Sequence, residues 1–439
     1  MNQTQVDSSL TALKKKIKEK SREKQLCAKA FKTIDKTSHE FTTLKDKMSG
    51  ISADLKALES DLKKQLNQDT LAPQAPKELL PARFISTPPN RDSSISKISE
   101  CFDQKKWDEY VQQHPLSSPY HLYRWQLIIS ESFKHNASYL SAFDRDNNII
   151  GVLPIIWQNT QLFGKHGISM PYFNYGDPLA DNEAISLALL NHGNKIRQRL
   201  GFSHLEIRTT NSNITKNKNI PYQNNKISMI LALPKTITEL KQGIGSKIRA
   251  QLKQCENFEL TYKEGGQELI DDFYRVYSTN MRDLGTPVYS KSFFQSIFKH
   301  SPQNCSISLL YHKGEPVSTG FLIAYKDVLE IPWASTLRKA NFMQANMFLY
   351  WNILQGTISK GFKFFDFGRS SKDSNTYRFK KQWGAKPVEH YWYYMMEDGE
   401  NLPEINPNNP KYKLLITLWK KLPVLLANLI GPWVAKDLP

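Results

Sequence analysis

The chain has 439 residues, 40% of them apolar, with 22 Phe, 19 Tyr and 9 Trp. At roughly 150 residues per domain this allows about three modules and at least one large core, which excludes a wholly disordered chain and a disulfide miniprotein. Basic residues outnumber acidic ones 59 to 42, and the formal charge of +17 suits a polyanion, an anionic membrane surface or a phosphorylated substrate.

The N-terminus shows no basic stretch followed by an apolar one, so no signal peptide is expected. No run of about 18 uncharged apolar residues occurs, so no spanning helix is expected either, and the reading is a cytoplasmic protein. Cys27, Cys101, Cys255 and Cys305 lie far apart, without CxxC or zinc-ligand spacing. They read as reduced, structural thiols, and no metal is expected.

Residues 1–70 contain no Pro and only Gly50, with 15 Lys/Arg and 10 Asp/Glu. Phe41, Leu44, Met48, Ile51, Leu55, Leu58 and Leu62 recur in steps of three and four, the seam of a coiled coil. A weaker stripe (Leu10, Leu13, Ile17) precedes it. One long helix and a hairpin broken near Thr37-Ser38 both fit. The segment reads as a packing or self-association helix, with a basic RNA-touching arm as the alternative. Residues 71–100 carry Pro73, Pro76, Pro81, Pro88 and Pro89 among Ser and Asn, and read as a linker. A compact body follows to about residue 398. After a second Pro/Asn-rich stretch, residues 411–438 form a basic amphipathic tail with Leu414, Leu415, Leu418, Trp419, Lys420, Lys421 and Trp433. Such a tail either lies at the inner face of a membrane or packs on the body.

The body contains a duplication. Phe133-Lys134-His135 recurs as Phe298-Lys299-His300, and Ser118-Pro119-Tyr120 is echoed by Thr286-Pro287-Val288-Tyr289. The strand around Gly151 is echoed around Gly320, and the helix-to-strand step at Gly201 around Gly361. Four matches in one order at offsets of 160 to 169 are too widely spaced for a solenoid. They fit two copies of one mixed α/β domain, over residues 101–235 and 236–398.

The densest polar-aromatic stretch is Phe365-Asp366-Phe367-Gly368-Arg369-Ser370-Ser371, followed by Asn375-Thr376-Tyr377-Arg378-Phe379-Lys380-Lys381-Gln382-Trp383-Gly384. A strand ending in Asp, Gly and Arg presents those groups at a loop. Lys380 beside Phe379 supplies a fixed cation suited to a tetrahedral oxyanion in acyl transfer. Asp366 is a candidate general base, with pairing to Arg369 as the plainer role. Trp333, Ser335, Asn174, Tyr175, Asn280 and Asp283 also sit at strand ends, turns or helix ends, Tyr350 lies one turn from Asn346 on a helical face, and as a set they would line a cleft between the halves. Gly243-Ile244-Gly245-Ser246-Lys247 lacks the ending of a P-loop. Gln198-Arg199-Leu200-Gly201-Phe202-Ser203 half-matches the pyrophosphate loop of acetyl-CoA-dependent acetyltransferases, but Gly201 is better explained as a helix C-cap. HExxH, GxSxG and GxGxxG are absent.

From Ser117 to about Met395 the chain resembles the FemAB-related proteins associated with the PEP-CTERM/exosortase system. The resemblance is carried by Phe173-Asn174-Tyr175-Gly176, Gly245-Ser246-Lys247-Ile248-Arg249, Asn280 through Tyr289, Glu330 through Ser335, Phe365 through Ser370, and Thr376 through Ala385. It implies two tandem GNAT-like domains with α/β mixed sheets, here preceded by the helical segment. It also implies transfer of an aminoacyl group from aminoacyl-tRNA to an amine of a peptidoglycan precursor, without metal or bound cofactor. By similarity the Phe379 carbonyl would orient a reactant and Lys380 would bind the oxyanion. Arg369, Tyr377, Trp333, Ser335, Asn174, Tyr175, Asn280, Asp283, Tyr350 and Arg249 would contact substrate.

The helical arm precedes the body here, whereas in Fem-type enzymes it is inserted in the second domain. A tRNA role for it therefore does not carry over, and the exosortase-linked setting points to exopolysaccharide or other envelope precursors. The expectation is an acyl- or aminoacyltransferase acting on an envelope precursor. An acyl-CoA-dependent N-acyltransferase and a non-catalytic adaptor are the alternatives.

Overall fold

The computed structural model describes residues 16–17, 19–28, 30, 39–69, 80–85, 89–160, 164–212, 214, 220–397, 399–403 and 410–438. The chain divides into two compact units, Met1–Glu78 and Leu79–Pro439.

In the first unit, α1 (His39–Asp69) and a helix over residues 19–28 share a small core of Cys27, Ile51 and Leu55, with Ile17, Leu44 and Met48 packed on it. Lys20 bridges to Asp54 at 3.0 Å. The middle of the predicted seam is thus used inside the unit, by two helices rather than one rod. The break expected at Thr37-Ser38 lies outside the described residues.

The second unit opens with α2 (Ala82–Ile85) and β1 (Lys97–Glu100). Its first half runs α3 (Gln104–Gln113), α4 (Arg124–Phe133), β2 (Asn136–Phe143), β3 (Ile149–Thr160), β4 (Gly164–Ile168), β5 (Leu179–Ala180), α5 (Glu183–Leu200) and β6 (Leu205–Thr209). β7 (Tyr222–Gln223), β8 (Lys226–Ala232), α6 (Ile237–Gly243), α7 (Ser246–Cys255) and β9 (Leu260–Gly265) lead into the second half. There α8 (Ile270–Leu284), α9 (Lys291–His300), β10 (Cys305–His312), β11 (Glu315–Tyr325), β12 (Val328–Thr336), α10 (Ala345–Ser359) and β13 (Phe364–Ser371) repeat the order of the first. α11 (Asn375–Gln382), β14 (Lys386–Glu389), β15 (Tyr391–Met395), α12 (Pro410–Trp419) and α13 (Val424–Ala435) complete the chain.

Each half is an antiparallel meander, β2-β3-β4 or β10-β11-β12, followed by a helix crossing to a strand parallel to the last. The two repeat glycines lie where the sheets are overlaid. A Cβ on Gly151 would sit 2.8 Å from Ile185 Cγ2 of α5, and one on Gly320 2.6 Å from Ile331 Cδ1. Gly201 terminates α5 at φ 67°, donating to the Arg197 and Gln198 carbonyls, so it is the expected C-cap.

The halves differ from the sequence expectation in how they are completed. The sheet orders are β1-β2-β3-β4-β6-β15-β7 and β14-β8-β13-β12-β11-β10-β9. β8 follows the first half yet pairs with β13 of the second, while β15 follows the second half yet pairs with β6 of the first. A division at residues 235 and 236 therefore leaves β8 and β15 each across the boundary from the sheet it joins. Nor is 71–100 only a linker: β1 pairs with β2 at the edge of the first sheet, and Leu80 and Phe84 pack on a core cluster.

The largest core cluster spans both halves. It includes Trp107, Trp125 and Phe133 from the first and Phe273, Phe293, Phe294 and Phe321 from the second. Phe133 and Phe293 lie 5.0 Å apart, joining α4 to α9. Burying this much aromatic surface between the halves fixes their relation, because each such side chain withdraws about 150–250 Å² from water.

Candidate active site

The site forms where β12 and β13 part. They pair in parallel only at Val328↔Phe364, Leu329↔Phe365 and Glu330↔Asp366. Gly368 then takes φ 71°, and an added Cβ there would lie 3.0 Å from the Ile331 carbonyl. The register against β8 also shifts between Asp366 and Arg369. A residue with a side chain would strain this bend, so Gly368 sets the splay. The gap opens into a cleft of about 390 Å³ bounded by both halves, with Phe173, Asn174, Tyr289, Glu330, Trp333 and Lys380 among its lining residues.

Glu330 and Asp366, opposite one another in the ladder, are 2% and 0% exposed. Two carboxylates cannot both stay charged side by side in a dry site without cations. Arg83 neutralises one of them: its Nη2 meets Asp366 Oδ2 at 3.0 Å, with side chains 6% and 0% exposed. The Tyr175 hydroxyl donates to Asp366 Oδ2 at 3.0 Å and the Gly368 N–H to Oδ1 at 2.8 Å. The Arg83 guanidinium also stacks on Phe84 and Tyr175, at 4.6 and 4.8 Å. Glu330 is left out of this network. Its neighbour is the Tyr120 hydroxyl. Burial, with Asp366 next to it, pushes the Glu330 carboxyl up to about 8.

Lys380 reaches in from α11, whose first turn is capped by the Ser374 side chain accepting from the Tyr377 N–H. Its Nζ donates to the carbonyls of Gly368 and Arg369, both at 2.9 Å, where pairing of β13 with β12 has ended. An ammonium has three donors, so one N–H remains for the cleft. Burial lowers the Lys380 amine to about 8, with Asp366 drawing it back up.

Arg369 is exposed and lines the cleft. Its guanidinium lies 5.4 Å from the centre of the Trp392 ring, and Arg208 lies 4.5 Å from the same ring. Arg208 is fully buried, held by Glu206 at 2.6 Å and the Phe173 carbonyl at 2.9 Å. Trp392 belongs to the exchanged strand β15, and Ser228 of the exchanged β8 bonds Tyr175 at 2.5 Å and His390 at 3.0 Å. Burial lowers His390 to about 3, so that imidazole is neutral. The exchanged strands thus stand behind the site, holding Tyr175 and flanking Arg369.

Of the residues singled out in the sequence, Lys380, Arg369, Trp333, Asn174 and Tyr350 line the cleft. Asp366 and Tyr175 lie behind it in the Arg83 network, so the expected Asp366–Arg369 pairing is replaced by Asp366–Arg83. With its charge already neutralised, Asp366 is poorly placed as a general base. Phe379 and Tyr377 turn their rings into the second-half core, and Phe379 stands 5.1 Å from Tyr350. Asn280 donates to Ser335 at 3.1 Å, away from the cleft lining. Asp283 is tied to Arg282 at 2.9 Å, and Arg249 bonds the Ile244 carbonyl, so both are occupied elsewhere.

Glu330 and Arg83 were not singled out as site residues. A lone Glu inside the apolar strand Val328-Leu329-Glu330-Ile331 was the available signal for the first, since an unpaired buried carboxylate is rare without a function. Arg83 had none, because its partner is 283 residues away. Among the described residues no group of His, Cys, Asp and Glu could hold a metal ion.

The GNAT acetyltransferase domain model matches residues 244–381, which contain the splayed strands and Lys380. No curated protein matches the chain in sequence. Among solved structures, FemX superimposes with a TM-score of 0.54 at 14% identity, covering 73% of this chain and 100% of its own. L-PGS from Bacillus licheniformis gives 0.47 at 14% identity, with 75% and 100% covered. A tandem GNAT protein from the clavulanic acid biosynthesis pathway gives 0.44 at 9% identity, with 70% and 99% covered. The protein therefore has a tandem GNAT fold of mixed α/β sheets with a helical N-terminal region. Its overall architecture is similar to that of FemX, and its second half carries the acetyltransferase-type domain.

Proposed function

We propose that the protein transfers an activated acyl or aminoacyl group to an amine in the cleft between its two halves. The observation that carries this reading is the pair at the cleft: the Lys380 ammonium, with an N–H beyond the two given to carbonyls, and the buried Glu330 carboxyl in the same lining. The acceptor nitrogen attacks the donor carbonyl carbon, and the carbonyl π electrons move to oxygen. The remaining Lys380 N–H stabilises that oxyanion as a fixed, preorganised donor. The ionised Glu330 takes the proton released by the attacking nitrogen. When the tetrahedral adduct collapses, the carbon–leaving-group bond breaks and Glu330 returns the proton to the leaving group. Holding both reactants in the cleft supplies the rest of the rate.

The donor is proposed to be an aminoacyl ester such as aminoacyl-tRNA. The segment joining β12 to α10, Leu337 through Gln344, contains no glycine, the residue that lets a backbone approach a pyrophosphate closely at a helix N-terminus. That supports a donor other than acyl-CoA. An envelope precursor as acceptor, with the exosortase association, is supported by the motif resemblance. Self-association through the helical N-terminal unit remains a proposal of the same rank. The open cleft supports an enzyme over an adaptor with a filled, degenerate pair of domains.

The test is to assay the purified chain with charged tRNA and with acetyl-CoA against amine-bearing precursors, beside Lys380→Met. Transfer from charged tRNA that Lys380→Met abolishes is expected. A thermal shift and transfer with acetyl-CoA alone would replace the donor. Full activity of Lys380→Met would remove the mechanism.

A further inference from the structure

The C-terminal helix α13 is inverted relative to an ordinary surface helix. It buries its small residues Ala427, Gly431 and Ala435, spaced four apart, and exposes its large ones. An added Cβ on Gly431 would meet Val288 Cγ2 at 2.9 Å, so the helix backbone lies directly on the body. On the opposite side of the helix, Leu425, Leu429 and Trp433 are 83%, 68% and 71% exposed, with Leu426 and Ile430 beside them. No residue of α13 is charged. α12 adds exposed Leu415 and Leu418.

This placement is anchored. Arg282 donates to the Leu422 carbonyl at 2.6 Å, Asn428 to Ser278 at 3.3 Å, and Tyr172 to the Lys436 carbonyl at 2.8 Å. Basic groups flank the apolar face: Lys420 and Lys421 are exposed between the helices, and the Lys436 ammonium lies 5.2 Å from the centre of the Trp433 ring. Ala435 and Leu438 reach the cleft lining, so the C-terminal end of α13 stands at the rim of the site.

We infer that α12 and α13 dock the protein on an anionic phospholipid bilayer, with α13 lying in the interface and its leucines among the acyl chains. Lysines around an apolar face with Trp at its edge complement an anionic headgroup layer. A second copy fits less well, since a two-fold contact through this face would bring the same lysines together. No described helix is long and apolar enough to cross a membrane, so the contact is peripheral. Docked this way, the end of α13 that reaches the cleft lies close to the bilayer, which suits an acceptor carried on a lipid. That consequence alone rests on the transfer reading above.

Co-sedimentation of the full chain with phosphatidylglycerol vesicles and with phosphatidylcholine vesicles tests it, with no donor or acceptor present. Binding to the anionic vesicles that weakens with salt is expected. Leu425→Ser/Leu429→Ser should weaken it at least about tenfold, and Lys420→Glu/Lys421→Glu should weaken only the anionic preference. All four positions are exposed, so unchanged circular dichroism is expected for both variants. No binding to either vesicle would overturn the inference. So would a concentration-dependent dimer, seen by sedimentation velocity, that the leucine variant dissolves. A vesicle result leaves the transfer reading untouched, and an inactive Lys380→Met that still binds vesicles leaves this one standing.

Discussion

Replacing Arg83 by Met should destabilise the second unit by about 3–5 kcal/mol, the range for removing one partner of a buried ion pair. The 3.0 Å contact has side chains 6% and 0% exposed, so water does not take the place of the guanidinium. Met keeps an apolar stem between Phe84 and Tyr175, so the loss is mainly of charge. Asp366 would retain the Tyr175 hydroxyl and the Gly368 N–H, but with Glu330 opposite and no cation at Oδ2.

The sign with pH follows from the carboxyls. Burial already holds Asp366 above its ordinary value, and Arg83 is the group that pulls it back. Without Arg83 it stands higher still. A carboxyl raised in the fold keeps its proton where the unfolded chain has lost it, so stability falls as pH rises from the unfolded value toward the folded one. The Arg83→Met deficit should therefore be larger at pH 8 than at pH 5. Urea unfolding followed by tryptophan fluorescence at both pH values measures it, with Asp366→Asn completing a double-mutant cycle. The double variant should lie closer to wild type at pH 8 than Arg83→Met alone. A single-mutant loss under about 1 kcal/mol at pH 8, or one that does not change with pH, refutes the argument.

Glu330→Gln should slow transfer by about 10²-fold or more, the usual scale for a general base. The same change should stabilise the fold at pH 8, since the native carboxyl is raised and its charging costs stability as pH rises; a destabilised variant at that pH contradicts the assignment. Lys380→Met should lower kcat by about 10²–10³-fold with little change in KM, read by steady-state kinetics. The wild-type rate should rise as Glu330 ionises, above the ordinary carboxyl range because of its burial, and fall as Lys380 loses its proton, below the ordinary amine range, giving a bell-shaped profile. A flat profile from pH 6 to 10 would count against both roles. Gly176→Ala should destabilise by about 1–3 kcal/mol or more by thermal unfolding, since its Cβ would lie 2.1 Å from the Ser169 carbonyl oxygen.

What the sequence determined alone is local and repetitive. Periodicity and caps placed α5 with its Gly201 end. The echoes at Gly151/Gly320 and Gly201/Gly361 gave the duplicated α/β order, and the strand-end grammar around residues 365–384 gave Lys380 and Arg369. These signals work because side-chain period and backbone sign depend on neighbours in the chain. What only the tertiary structure decided is pairing at a distance. No residue in Lys226–Ala232 says that β8 joins the second sheet, because an apolar strand fits either. The role of Asp366 turned on Arg83, which lies in a proline-rich stretch that reads as linker. Phe379 and Lys380 are adjacent in sequence, yet one faces the core and the other the cleft, because a helix turns about 100° per residue. Glu330 stands out in sequence only as a lone acid in an apolar strand, and it becomes a poised carboxyl because the fold buries it and gives the nearby cation to its neighbour.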